Sequence, residues 1–199
     1  DNCGRPTRNL RISLTQRCNL RCVYCHREGQ NPCSVIPEMF TEEVLRIAEV
    51  AVSLGMTRIK LTGGEPLLRS DIVEIVEGLA GLRGLRDLSM TTNGTRLSVL
   101  AKPIRQAGLM RINVNLPSLH ESTYAMLNGG DLREVLKGIK AAVETGLYPV
   151  KLNMLVLKGV NEEEIPRMIA FARRSETILQ LLELEPVNVR DEYYEQYFY

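Results

Sequence analysis

Short apolar runs alternate with longer segments of helical periodicity from one end of the chain to the other. This alternation is typical of βαβ units, in which the strands are parallel and the crossovers right-handed. Six such units in succession predict an α/β fold, an incomplete (βα)6 TIM-like barrel with parallel strands. The predicted strands span residues 10–15, 58–62, 87–92, 111–116, 150–157 and 178–184, and the predicted helices span 41–54, 70–79, 98–107, 132–145 and 162–174.

Polar residues mark the predicted helix ends. Thr41 is expected to cap the first helix and Ser70 or Asp71 the second, because short polar side chains accept hydrogen bonds from free N–H groups. Gly108 and Gly146 follow two other helices, as glycine often does at a helix end. In barrels of parallel strands the chemistry lies at the carboxyl ends of the strands, and the polar motifs of this chain fall there.

Composition narrows the class of protein. The chain has 199 residues, 44% of them hydrophobic, and a net charge of +1. We expect a single core domain over residues 1–199, with neither nucleic acid nor membrane as its main partner. Five cysteines, three of them clustered, argue against an extracellular disulfide framework and for a reducing, cytoplasmic location.

The three clustered cysteines are Cys18, Cys22 and Cys25, in the loop after the first predicted strand. Three thiolates at this spacing can bind three irons of a [4Fe–4S] cluster and leave the fourth iron open to an external chelate. A structural zinc site is an alternative, and it would need a fourth ligand such as His26. Tyr24 lies between two of the cysteines, where its ring could shield a cluster or contact a bound cofactor.

A glycine pair follows the second predicted strand, in the run Gly63-Gly64-Glu65-Pro66. Glycines let the backbone approach a ligand closely, so Gly63 and Gly64 are candidate cofactor contacts. Glu65 could accept a hydrogen bond from a ligand ammonium group. The position of this run, at a strand end beside the cysteine loop, makes it more informative than a glycine pair alone.

Taken together, these motifs resemble the radical S-adenosylmethionine (SAM) superfamily. Within it, their order is similar to that of the GTP 3′,8-cyclase family, and most similar to its archaeal branch. Besides the cysteine loop, the segments that carry the resemblance are residues 4–5, 10–13, 61–69, 91–94, 111–114, 150–153 and 159–161.

The resemblance implies roles for individual residues. Cys18, Cys22 and Cys25 would ligate the cluster, and SAM would chelate its open iron through the amino and carboxylate groups. Tyr24 and Gly64 would contact SAM, as would Asn115, which stands where the family usually has Ser. The GTP side would be lined by Arg11, Lys60, Thr91 and Lys151.

The resemblance also implies the reaction. An external donor would supply an electron, and SAM would be cleaved to methionine and a 5′-deoxyadenosyl radical. That radical would take the hydrogen from C3′ of GTP, and the ribose radical would attack C8 of guanine. The product, 3′,8-cyclo-7,8-dihydroguanosine 5′-triphosphate, belongs to molybdenum cofactor biosynthesis. Arg and Lys suit the triphosphate by charge and geometry.

The chain departs from the family pattern in further places. Gln180 stands where many members carry an Arg used for substrate, and it supplies no charge to a phosphate. The family holds a second cluster with three cysteines in a C-terminal extension. Cys33 is the last cysteine here, so we expect that auxiliary-cluster region to be absent. Cys3 and Cys33 are interpreted as free thiols and Arg69 as a solvated side chain.

Two other functions stay open at this point. One is a radical SAM reaction on a peptide or a different small molecule, which the Gln180 position leaves possible. The other is an iron–sulfur protein without SAM chemistry. The Gly63-Gly64-Glu65-Pro66 run argues against the second, because an electron carrier has no need of a site for the SAM amino group.

Overall fold

The computed structural model describes residues 4, 6–25, 37–185 and 195–197. Its centre is one sheet of six parallel strands paired in the order of the sequence, which confirms the predicted α/β fold of parallel strands. In the described residues no pairing joins the first strand to the sixth. The strands are β1 Asn9–Ser13, β2 Arg58–Thr62, β3 Asp87–Thr92, β4 Arg111–Asn115, β5 Val150–Leu155 and β6 Ile178–Leu182.

In the part of the chain that the structure describes, six α-helices connect the strands. They are α1 Thr41–Ser53, α2 Ile72–Ala80, α3 Leu97–Gln106, α4 Glu121–Asn128, α5 Leu132–Glu144 and α6 Ile165–Arg174. Helix α4 is absent from the sequence prediction, because eight residues give only two turns of periodicity. The predicted helix over 162–174 is split, with a single 3₁₀ turn at Glu162–Glu164 before α6. No helix in the described part of the chain is both long and apolar enough to cross a membrane.

The predicted caps are partly wrong. Phe40, not Thr41, is the N-cap of α1, and the Glu43 carboxylate accepts from the Phe40 N–H at 2.8 Å. The Thr41 hydroxyl instead donates to the Asp71 carboxylate at 2.9 Å. Asp71 does cap α2 by position, but its carboxylate makes no bond to the helix N–H groups. These side chains therefore tie α1 to α2.

The two faces of the sheet differ sharply in polarity. Successive strand residues point to opposite faces, and one face packs against the helices in the main hydrophobic core. On that face Leu61, Met90, Ile112 and Leu152 have no exposed surface. The residues between them form what we call the polar face: Arg11, Ser13, Lys60, Thr62, Ser89, Thr91, Arg111, Asn113, Asn115, Lys151 and Asn153.

A polar face of this kind is unusual for a parallel sheet. Closed barrels fill the corresponding interior with layers of branched apolar side chains, and parallel strands usually read as continuous apolar runs. Here β2 reads Arg-Ile-Lys-Leu-Thr and β4 reads Arg-Ile-Asn-Val-Asn. The polar face therefore lacks the side chains for an apolar core and has those for binding a polar ligand.

Candidate functional site

The cysteine loop leaves the carboxyl end of β1. Cys18, Cys22 and Cys25 are free of disulfides, with Cys18 and Cys25 exposed and Cys22 half-buried. The Cys25 N–H donates to the Cys22 carbonyl at 3.1 Å, which closes a turn around Tyr24. The predicted ligands therefore lie on one short loop at the carboxyl edge of the sheet.

The glycine pair lies directly against this loop. The Gly64 N–H donates to the Thr15 carbonyl at 2.6 Å, and the Glu65 N–H donates to the Arg17 carbonyl at 2.7 Å. A Cβ atom on Gly63 would lie 2.6 Å from the Thr15 oxygen, and one on Gly64 would overlap the Arg17 carbonyl. The close approach that these glycines permit is thus to the cysteine loop itself, and their contact with a cofactor stays a prediction.

The side chain of Glu65 is buried and hydrogen-bonded within the protein. Its side chain is 1% exposed, and its carboxylate accepts from the Leu67 N–H at 3.0 Å, the Thr92 hydroxyl at 2.6 Å and the Asn93 N–H at 2.7 Å. Burial raises the pKa of the carboxyl, and these three donors oppose the rise. In this structure the carboxylate joins the ends of β2 and β3, and a bond from a ligand ammonium to it stays a prediction.

Asn93 extends the link from β3 to the cysteine loop. Its amide donates to Asn19 Oδ1 at 2.8 Å and lies 3.9 Å from Cys18 Sγ. Asn19 in turn donates to the Thr95 hydroxyl at 3.0 Å. Sequence reasoning did not assign this residue to the site, although its place directly after a strand, in Thr91-Thr92-Asn93-Gly94, was a usable signal.

Tyr24 and Asn115 are brought together, as members of one site would be. The Asn115 amide donates to the Tyr24 hydroxyl at 2.9 Å, and that hydroxyl donates to Asn128 Oδ1 at 2.6 Å. Burial raises the pKa of Tyr24 well above its ordinary value. The phenol therefore stays protonated and fixed between β4 and α4, and its contact with SAM stays a prediction.

The surroundings of the three cysteine thiols favour a positively charged group bound between them. Burial raises the pKa of Cys18 and raises that of Cys22 to about 12, and for Cys22 the charges of Cys25 and Cys18 add to the rise. Three thiolates on one short loop repel one another unless a cation neutralises them, and metal coordination deprotonates a thiol outright. The three cysteines therefore suit an iron–sulfur cluster.

A mononuclear site is less well matched. In the described ranges no three His, Cys, Asp or Glu side chains lie close enough to share one metal ion. A cubane needs only one thiolate for each iron, so its cysteines need not converge on a single point. The zinc alternative depends on His26, which lies outside the described residues, as do Cys3 and Cys33.

Basic side chains gather on the polar face below the cysteine loop. Arg11 and Lys60 are direct neighbours in the register of β1 and β2, while Lys151 lies opposite Asn113 on β4. Burial lowers the pKa of Lys60, and the positive charges of Arg111, Arg11 and Lys151 lower it further. Lys60 therefore lies within electrostatic reach of the three other cations.

Further polar residues lie on the same side of the sheet as these cations. Thr91 lies beside Asn113 in the register, and Gln180 on β6 lies beside Asn153. The Oδ1 atoms of Asn113 and Asn153 are buried and have no hydrogen-bond partner in the described structure. Buried polar atoms are normally paired, so these two acceptors fit hydroxyl or amine donors of a ligand. Sequence reasoning missed both, although the alternation of polar and apolar residues along β4 and β5 could have indicated them.

These features define a class. An open sheet of parallel strands that leads from β1 into a loop of three cysteines without disulfides, with a polar face beneath it, is typical of an iron–sulfur enzyme. The chain matches the profile of the Radical SAM superfamily over residues 12–172, and it belongs to that superfamily. Proteins of this superfamily bind a [4Fe–4S] cluster and SAM.

Curated relatives narrow the resemblance. The chain is 51% identical over 202 aligned positions to the probable GTP 3′,8-cyclase of Thermococcus kodakarensis, and 50% identical to that of Pyrococcus horikoshii. Both alignments cover 100% of this chain and 64% of the relative. The chain thus spans somewhat less than two thirds of the length of these relatives.

Solved structures confirm the fold. SuiB of Streptococcus suis bound to S-adenosylmethionine matches with a TM-score of 0.77 and 18% identity, over 96% of this chain and 43% of that one. Methylornithine synthase (PylB) matches with a TM-score of 0.69 and 19% identity, over 89% of this chain and 53% of that one. At these identities the likeness concerns the fold alone.

Proposed function

We propose that this chain is the catalytic core of a GTP 3′,8-cyclase, acting in molybdenum cofactor biosynthesis. The observation that carries the proposal is the group of cations on the polar face, with Arg11 beside Lys60 in the strand register and both Arg111 and Lys151 within electrostatic reach of Lys60. The two archaeal relatives, named as probable GTP 3′,8-cyclases, support it.

The cysteine loop would hold the cofactors. Cys18, Cys22 and Cys25 would each ligate one iron, with Tyr24 and Asn115 beside the space where SAM reaches the fourth. Gly63, Gly64 and Glu65 would offer their backbone carbonyls, because the two N–H groups of Gly64 and Glu65 already bond to the loop. When bound, the cluster and SAM supply a reductively formed radical that removes a hydrogen atom from the substrate.

The polar face would position GTP. Arg11, Lys60 and Lys151 would bind the triphosphate, whose charge relieves the repulsion among these cations. Thr91 would hydrogen-bond the nucleotide between them. Held in this way, the ribose presents C3′ for hydrogen removal and C8 of guanine for ring closure, and the contribution of the protein is orientation and exclusion of water.

The experiment measures nucleotide binding and coupling to SAM cleavage together. The chain is reconstituted anaerobically with iron and sulfide, reduced with dithionite as the external electron donor, and incubated with SAM and GTP, ATP or no nucleotide. We expect 5′-deoxyadenosine and a cyclised guanine nucleotide to form with GTP, and equilibrium dialysis to show GTP bound more tightly than ATP. ATP binding equal to that of GTP would contradict the proposal, and a peptide substrate would then be the next candidate.

A matched pair of variants tests the site. Lys60→Ala removes one cation of the polar face and should weaken GTP binding about tenfold, the effect of roughly 1.4 kcal/mol. Lys140→Ala removes an exposed cation of α5, which pairs with Glu144 at 3.7 Å, and should leave binding unchanged. Equal losses in both variants would show that only general charge attraction was measured.

A cytoplasmic location remains part of the proposal and is left to cell fractionation.

A further inference from the structure

The last turn of α4 is bonded to the cysteine loop through its backbone. The Arg21 N–H donates to the Asn128 carbonyl at 3.0 Å, and the Val23 N–H donates to the Leu127 carbonyl at 2.9 Å. Carbonyls in the last turn of a helix have no partner within the helix. The loop therefore satisfies two of them with the residues on either side of Cys22.

The side chain of Asn128 adds a third bond. It has no exposed surface, and its Oδ1 accepts from the Tyr24 hydroxyl at 2.6 Å. Tyr24 is held from the other side by the Asn115 amide at 2.9 Å. Asn128 thus fixes both the backbone next to Cys22 and the aromatic ring between Cys22 and Cys25.

Two glycines allow this close approach. Gly129 ends α4 in the left-handed conformation, with φ +71°, which glycine adopts without strain. A Cβ atom on Gly130 would lie 2.6 Å from the side chain of Leu20 in the loop. The run Asn128-Gly129-Gly130 is therefore shaped to meet the cysteine loop rather than only to end a helix.

Two buried donors, one helical turn apart on α4, have no acceptor. The Tyr124 hydroxyl and Asn128 Nδ2 are buried and without a hydrogen-bond partner in the described structure, and Tyr124 has no exposed surface. Burial raises the pKa of Tyr124 to about 12, the neighbouring Asn128 amide opposes the rise, and the charge of Cys22 adds to it. A phenol beside an amide NH2 group still lacks an acceptor for its proton, because both groups are donors.

We propose that Asn128 is a positioning residue for the cluster, and that Tyr124 and Asn128 direct their free donors toward the cluster sulfurs on the Cys22 side. The proposal rests on Cys22 being a cluster ligand. Thiolate and sulfide are acceptors that would satisfy both donors, and hydrogen bonds to cluster sulfurs set the reduction potential. Helix α4 would then tune how readily the cluster passes its electron to SAM.

The test is a redox titration of the reconstituted full chain, followed by electron paramagnetic resonance. Tyr124→Phe keeps the ring and removes only the hydroxyl. We therefore expect the reduction potential of the cluster to become more negative, with an equilibrium constant for its one-electron reduction at least threefold lower. Asn128→Ala should shift the potential in the same direction and shorten the lifetime of the cluster against a chelator at least fivefold. Tyr148→Phe is the matched control, because Tyr148 is 76% exposed, and should change neither quantity.

The outcomes separate the hypotheses. Wild-type potential and resonance signal in both Tyr124→Phe and Asn128→Ala, with only the melting temperature lowered, would overturn the inference and leave α4 a structural support. If Asn128→Ala fails to fold, Tyr124→Phe decides the question alone. A wild-type chain that holds a cluster but ignores GTP would count against the proposed cyclase activity and not against this inference. A wild-type chain that holds no cluster would overturn the ligand assignment and this inference with it.

Discussion

At the scale of single residues, the glycines of Gly63-Gly64-Glu65-Pro66 are required by the packing of this motif against the cysteine loop. Gly64 has no side chain because the Arg17 carbonyl occupies the place where a Cβ atom would be. The same approach lets the Gly64 and Glu65 N–H groups bond to the cysteine loop. The motif therefore sets the position of the cysteines, whatever else it does for a cofactor.

Replacing Gly64 by alanine should displace the cysteine loop. A methyl group that meets backbone atoms cannot be relieved by a side-chain rotation, so we expect a loss of about 2 kcal/mol or more in the free energy of unfolding. Iron bound per chain after reconstitution should fall in parallel. Urea unfolding of the apo chain and iron analysis measure the two effects.

The matched control is Gly81→Ala. Gly81 has φ −73°, and the nearest atom to an added Cβ lies 3.5 Å away. Its unfolding free energy should change by less than about 0.5 kcal/mol. Wild-type iron content in Gly64→Ala would refute the role given to this glycine.

At the scale of secondary-structure elements, Arg69 and Asp71 connect β1, α1 and α2. Arg69 is 5% exposed, so its interpretation as a solvated side chain is wrong. Its guanidinium donates to the Leu14 carbonyl at 3.0 Å and to Asp71 Oδ1 at 2.8 Å. Asp71 also accepts from Thr41 at the start of α1. Three elements thus meet at one ion pair.

This ion pair predicts a loss of stability in acid. The hydrogen bond from Arg69 lowers the pKa of Asp71 from 3.8 to about 2. The folded chain therefore binds this proton more weakly than the unfolded chain. The stabilisation is complete above pH 4 and is lost as the pH falls through about 2. We expect Asp71→Asn to lower the free energy of unfolding by about 1–2 kcal/mol at pH 7 and by progressively less toward pH 2.

Urea unfolding at several pH values measures this difference. Glu49→Gln, on the exposed side of α1, serves as the control and should match the wild type at every pH. A difference between wild type and Asp71→Asn that stays constant from pH 7 to pH 2 would contradict the assignment.

At the scale of the whole molecule, the sheet separates two environments. Its helix-covered face holds the apolar core, and its polar face carries the cations and the orphan asparagine acceptors. Asp87 neutralises one of the cations by a paired contact to Arg111, with Nε to Oδ1 at 2.7 Å. The balance on this face is therefore positive although the whole chain has a net charge of only +1.

This charge balance predicts how GTP binding depends on pH. Burial and neighbouring cations lower the pKa of Lys60, so this side chain loses its charge at a lower pH than an ordinary lysine. GTP affinity should fall as the pH rises through that lowered pKa. In Lys60→Arg the charge persists, because an arginine stays protonated, and the fall should begin at a higher pH.

Equilibrium dialysis from pH 7 to pH 10, repeated at two salt concentrations, measures both effects. Higher salt should weaken binding in the wild type and in Lys60→Arg, because screening acts on the remaining cations as well. The same pH dependence in both proteins would show that Lys60 does not contact the nucleotide.

The sequence was sufficient for much of the fold. The predicted strands at 58–62 and 87–92 match β2 and β3, and the other predicted strands overlap the observed ones with ends that differ by one to two residues. Helix α4 could not be predicted, because two turns followed by Gly129-Gly130 leave little periodicity. The expectation that the cysteine loop and the glycine run lie together followed from topology, since parallel strands place their carboxyl ends at one edge. The roles of Asn115 and of the residues on the GTP side came from the family resemblance.

By itself, the sequence determined the parallel α/β fold and the cysteine loop after β1, because periodicity and spacing are properties of the chain, and its motifs carried the resemblance to the superfamily. Tertiary structure decided what the motif residues touch. It placed Glu65 and Arg69 in the interior, set Gly64 against the cysteine loop, and brought Asn128 to Tyr24 from 104 residues away. Such contacts depend on where distant segments meet, and that meeting is fixed by packing around the whole sheet rather than by any local pattern.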